Sequence, residues 1–258
     1  MSHMLWHKSW LETRSRFLIG LALLVCSAAA SVLTYPTVQK LLTTMPPVDL
    51  GGELGRKVHD ALILAGTYRG YIWSHVFGQN LIQLWTIFAV ILGTGGLLSQ
   101  MSGGGGLFTL SLPVSRRELL AVRAAAGLAE LLILALVPAL VIPLLSPAIG
   151  QSYSLGDTLV HALCLFVAGA VFFNFSFLLS TVFSDIWRPL LLALCAAAVL
   201  ALADQFVDGL SRYSVIGAMN GERYFRGGGL PWPGLIVSAA LSAAMLYGAV
   251  ANLARRDF

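Results

Sequence analysis

Runs of about 20 predominantly apolar residues recur along this chain, and that is the length an α-helix needs to cross the roughly 30 Å hydrocarbon core of a bilayer. Six segments qualify: Phe17 to Tyr35, Leu81 to Leu98, Ala124 to Leu145, Leu159 to Phe183, Pro189 to Val207 and Pro233 to Leu253. Inside hydrocarbon no water satisfies the backbone, so such runs fold as helices. Composition agrees: 57% of the 258 residues are hydrophobic and 11% are charged, with a mean hydropathy of +0.81. An ordinary soluble domain carries about 25% charged residues, so a water-soluble surface cannot be assembled from this chain. The expectation is an all-α polytopic membrane protein with six transmembrane helices, forming one transmembrane domain over residues 1–258.

The basic residues favour one orientation. Lys8, Arg14 and Arg16 precede the first run, Arg116, Arg117 and Arg123 lie between the second and third, Arg188 links the fourth to the fifth, and Arg255 and Arg256 follow the sixth. Lys and Arg near span ends are retained on the cytoplasmic side, so both termini are expected inside. The first run follows sixteen polar and aromatic residues and lacks a small-x-small cleavage pattern, so it is expected to stay as a helix. Cys26, Cys164 and Cys195 sit in separate apolar runs and read as unpaired small hydrophobes; no metal site is expected. No polybasic tract suggests nucleic acid.

Three flanking segments carry local detail. Over residues 1–16, Trp6, Trp10, Thr13 and Phe17 recur at helical spacing beside Lys8, Arg14 and Arg16, which predicts an amphipathic helix in the headgroup plane. Over 99–123, Gly103 to Gly106 break the preceding helix, Pro113 restricts the backbone, and Ser115 with Glu118 forms a capping box that starts a helix near Arg116. Over 208–232, the aromatics and Gly227 to Gly229 predict a pair of short re-entrant or interfacial helices before the sixth span.

The stretch Gly106 to Leu132, "GLFTLSLPVSRRELLAVRAAAGLAELL", resembles the cytoplasmic segment of type-2 ABC transporter permeases, most closely at Leu110, Leu112, Pro113, Val114, Ser115 and Arg116. It departs from that family at Gln100 to Ser102, where an acidic residue commonly stands. The resemblance implies that residues 99–123 form a coupling helix, with Leu110 to Ser115, Arg116, Arg117 and Glu118 docking on a nucleotide-binding subunit. It further implies an exporter of lipids, glycans, drugs or peptides in a bacterial inner membrane, with two permease copies, alike or related, and two ATPase subunits. No G-x-x-x-x-G-K-[ST] occurs, so ATP and Mg would be bound by the partner and this chain itself would be no enzyme and hold no cofactor.

Polar residues inside the apolar runs are functional candidates by default. Glu130, about two turns into the third span, is expected to face protein or water, either in a proton or substrate role or paired with Arg123, Arg188 or a hydroxyl. Asn174 lies deep in the fourth span behind His161, where packing against a neighbouring helix is the plain reading. Asp204 and Asp208 stand one turn apart near the end of the fifth. Two other functions fit such a chain: an ion-coupled secondary transporter using Glu130, and an intramembrane enzyme, although no H-E-x-x-H or G-x-S-x-G occurs.

Overall fold

The computed structural model describes residues 2–44, 52–94, 116–206 and 213–254, which form helices and no strands. In chain order these are α1 (Ser2–Thr44), α2 (Gly52–Gly66), α3 (Tyr68–Tyr71), a π-helical stretch (Ile72–Asn80) and α4 (Leu81–Gly93). There follow α5 (Arg116–Leu145) with a 3-10 turn (Ser146–Ile149), α6 (Leu155–Ser180), α7 (Trp187–Phe206), α8 (Val215–Asn220), α9 (Glu222–Phe225) and α10 (Trp232–Ala254). Among the described residues, six stretches are long and apolar enough to span a membrane: Leu5–Thr44, Tyr68–Gly93, Arg117–Ile149, Leu155–Ser180, Trp187–Asp204 and Trp232–Leu253. The protein is an all-α polytopic membrane protein. The end of the bundle that carries the start of α1 is called basal below, and the opposite end distal.

The first span differs from the expectation. No separate surface helix covers residues 1–16; α1 runs unbroken from Ser2 to Thr44, because nothing between Arg16 and Phe17 interrupts helical geometry. The face it buries is also different. Leu5, Ser9, Thr13 and Phe17, spaced i, i+4, i+8, i+12, are buried, while Trp6 and Trp10 remain exposed. At about 1.5 Å per residue the helix is roughly 65 Å long, about twice a hydrocarbon core, so it projects beyond the bilayer.

The second span begins at Tyr68, where the Thr67 side chain caps α3 by accepting from the Gly70 amide. It passes through the π-helical stretch, whose wider turn is seen where Leu81 N–H reaches back to Val76 O. Helix α2, which no apolar run announced, packs mainly on α3 and leaves Leu62 and Ile63 exposed.

Helix α6 is the centre of the bundle. Two thirds of its most apolar window is buried, against 17% for α7 and 22% for α10, which lie at the periphery. Close approach is arranged by small residues. A Cβ on Gly169 would sit 2.2 Å from the Trp85 ring, so only glycine lets that indole cross α6, where its Nε1 donates to Leu131 O of α5 at 3.2 Å. A Cβ on Gly93 would meet Phe173 O at 2.6 Å, and beside it Ser176 Oγ donates to Val90 O at 2.9 Å. Trp85, Phe172, Phe173 and Phe177 are fully buried around these crossings.

The link from α6 to α7 is the tight turn that its few residues required. Asp185 Oδ1 accepts from the Arg188 amide at 2.8 Å, capping α7, with Trp187 exposed beside it. At the other end Ser154 Oγ accepts from the Asp157 amide and starts α6. The paired short helices expected before the last span are present as α8 and α9, joined through Gly221 in left-handed conformation at φ +63.

Candidate functional site

Polar side chains collect at the two ends of the bundle, and the basal group contains Glu130 and Arg123, which the sequence singled out. Arg117 and Glu118, in the first turn of α5, are exposed. Arg116 begins the helix. Leu110, Leu112, Pro113, Val114 and Ser115 lie outside the described residues.

More than three turns further along α5, Glu130 is 96% buried and its Oε1 accepts from the Thr13 hydroxyl of α1. Its Oε2 is shielded from solvent and has no hydrogen-bond partner among the described residues. Seven residues earlier on the same face, Arg123 Nη1 meets Glu12 Oε2 at 3.4 Å, and Arg16 Nη1 donates to Thr94 O at 3.3 Å where α4 ends. The expected choice among Arg123, Arg188 and a hydroxyl is thus resolved in favour of a hydroxyl, from a helix that the sequence did not nominate. This group joins α1, α4 and α5 through charged and hydroxyl side chains.

Asn174 is not part of that group. Its Nδ2 donates to Ser242 Oγ of α10 at 2.7 Å, so it ties the central helix to a peripheral one, although among the described residues no donor reaches its buried Oδ1. Nearer the basal end, Asn252 Nδ2 repeats that tie by donating to Thr181 O at 3.0 Å.

The distal group was not anticipated. Asp157 Oδ2 pairs with Arg69 Nη2 at 3.1 Å, and its Oδ1 accepts from the Tyr224 hydroxyl at 3.0 Å. That bond to a carboxylate holds the Tyr224 pKa above the ordinary phenol value. The Arg69 guanidinium lies 5.4 Å from the Phe225 ring centre, Phe225 stacks on Trp73 at 4.3 Å, and Trp73 Nε1 donates to Asn220 O at 3.1 Å. His161 Nδ1–H donates to Asp157 O at 2.7 Å, and the ring stacks on Phe77 at 4.7 Å.

Tyr68 and Ser146 hydrogen-bond at 2.6 Å; since Ser146 gives its only proton to Ile142 O, Tyr68 is the donor. Tyr153, half-buried against the rings of Tyr68 and Phe77, has its pKa pushed up by desolvation of its hydroxyl. Together these contacts fasten α8 and α9 to α3, the π-helical stretch and the start of α6. The aromatic and polar mixture of residues 71–80 was the available signal; Asp157 was hidden because a helix start already accounts for an acid there.

Among the described residues no group of three His, Cys, Asp or Glu side chains is placed to hold a metal ion. Cys164 is buried, Cys26 and Cys195 are exposed, and all three are free. Comparison with protein-family models gave no match, and neither did comparison with curated proteins or with solved structures. The arrangement itself offers a basal face with charged residues at a helix start, a dry half-satisfied carboxyl behind it, and a clamped distal end.

Proposed function

We propose that the chain is the permease subunit of an ATP-driven ABC exporter, forming the translocation pathway with a second permease copy, alike or related, and coupling to two copies of a separate ATPase subunit that bind ATP and Mg. In this reading the basal end faces the cytoplasm of a bacterial cell, both termini included. The observation that carries it is the run Leu110 to Glu118 feeding directly into α5, with Arg117 and Glu118 presented at the basal end.

The packing behind that run supports it. Helix α5 is held to α1 through Thr13 with Glu130 and Glu12 with Arg123, and it packs along α6. A displacement applied at its first turn would therefore act on the central helix and on α1 together, which is what an attached motor requires. The class of cargo stays open among lipids, glycans, drugs and peptides.

The test is reconstitution with the ATPase that co-purifies. Charge reversal at Arg116 and Arg117 to Glu places like charges against an acidic docking face and is expected to lower substrate-stimulated ATP hydrolysis about ten-fold or more. Unchanged assembly and hydrolysis would sink the proposal.

One observation favours a second reading. The unfilled Oε2 of Glu130 fits an ion-coupled transporter in which that carboxyl carries a proton. Transport by the purified chain in liposomes without ATP, lost on Glu130→Gln, would select it.

A further inference from the structure

At the distal end a cavity of about 600 Å³ opens between the end of α7, α8, α9 and the start of α10. Sites for small molecules commonly enclose about 300–1,000 Å³. The cavity lies between the two spans with the least burial in the bundle, so it adjoins lipid-facing surface. Tyr213 and Trp232, both exposed nearby, are residue types that settle at the headgroup level of a membrane.

Its charged walls are of both signs, and they are not equally satisfied. Arg226 and Glu222 neutralise each other at 2.8 Å. Arg223 directs Nε to Gly228 O at 3.0 Å, and its terminal Nη groups have no partner among the described residues. Asp204 lines the same cavity, and among the described residues no donor fills either of its carboxylate oxygens. A carboxylate that lines a cavity with neither oxygen filled is under-satisfied, so an N–H or O–H that enters the cavity finds an acceptor in Asp204.

An anion alone would answer Arg223 and leave Asp204 unfilled; a cation alone would do the reverse. A group with a positive N–H donor and a negative oxygen answers both, and the remaining pair keeps the cavity neutral. We propose that this cavity binds an aminoalkyl phosphate, its ammonium on Asp204 and its phosphate on Arg223, supplied by the headgroup of a phosphatidylethanolamine. The proposal is independent of any ATPase partner and needs only a membrane containing that lipid.

The test uses the full chain in detergent and native mass spectrometry with three lipids. Phosphatidylethanolamine offers N–H donors and a phosphate, phosphatidylcholine has a cation without N–H, and phosphatidylglycerol has the phosphate without a cation. Retention of the ethanolamine lipid is expected to exceed the other two about ten-fold. Asp204→Asn should reduce it to the level of the glycerol lipid, and Arg223→Gln should weaken all three. Arg188→Gln, which breaks an exposed pair with Asp185 at the opposite end of the bundle, should leave the preference intact, and thermal melts of the Asp204→Asn and Arg223→Gln chains that match the parent report that the fold survives both.

Soluble phosphoethanolamine is added as a competitor. Displacement at concentrations comparable to the lipid would keep the chemistry of the site but move its source to the aqueous phase. Equal retention of all three lipids, or a preference that survives both Asp204→Asn and Arg223→Gln, would overturn the proposal.

Discussion

At the distal end Asp157 divides its carboxylate between Arg69 and Tyr224 among stacked rings, whereas at the basal end Glu130 meets a single hydroxyl, that of Thr13, and keeps its second oxygen dry. Both acids belong to spanning helices. The difference is in what surrounds them. The distal acid sits in the first turn of α6, where side chains from α3 and α9 reach it from the connections and Arg69 remains in water. The basal acid lies between α1 and α5, away from any connection, and among the described residues the Thr13 hydroxyl is the one group that hydrogen-bonds to it. A charge near a span end is stabilised by flexible connections; one deeper in depends on a specific residue of a neighbouring helix.

Thr13→Val tests the basal dependence most severely. It removes the partner of a buried carboxyl, and the loss of stability is expected to be about 2–3 kcal/mol by titration of the detergent-solubilised chain with dodecyl sulfate. Thr13→Ser, which restores a hydroxyl, should recover most of it. A valine variant as stable as the parent would remove the contrast altogether.

Asp157→Ala breaks the distal hub. Because Arg69 is half exposed the expected loss is smaller, about 1–2 kcal/mol, but proteolysis within α8 and α9 should accelerate while the basal end is unaffected. Uniform loosening of both ends would contradict the picture of separate fastenings.

Trp73→Phe retains an aromatic face for Phe225 while deleting the bond to Asn220 O, and should cost about 1 kcal/mol in the same titration. Arg226→Ala sets the lower bound. Its pair with Glu222 is exposed at i, i+4, and the expected change of about 0.3 kcal/mol would show that the rings and the Asp157 hub, not surface ion pairs, hold the distal end.

The six spans were legible because bilayer thickness converts directly into a run length, and the pair α8 and α9 because Tyr213 to Phe225 is too apolar for an ordinary loop. Glu130 was legible because a charge stands out in an apolar run; its partner was not. Thr13 was read on a stripe with Trp6 and Trp10, whereas the buried stripe runs through Leu5 and Ser9, and tryptophan drew attention to the face that looks outward. Helix α2 escaped because its apolar positions, among them Val58, Leu62 and Ala65, are interspersed with Arg56, Lys57, His59 and Asp60 over too short a length to resemble a span. Pairings such as Trp73 with Phe225 join residues far apart in sequence, and no local pattern encodes them.

Helix α1 touches both ends. Thr13 meets Glu130 at the base, and twenty-two residues later, about 33 Å along the axis, Tyr35 packs edge-on against Tyr68 at 4.9 Å. One unbroken rod therefore fixes the spacing between the two sets of contacts. A piston-like shift of α1 by a single turn would unseat the Thr13 hydroxyl and the Tyr35 ring in the same stroke, so one rod length has to suit both ends at once.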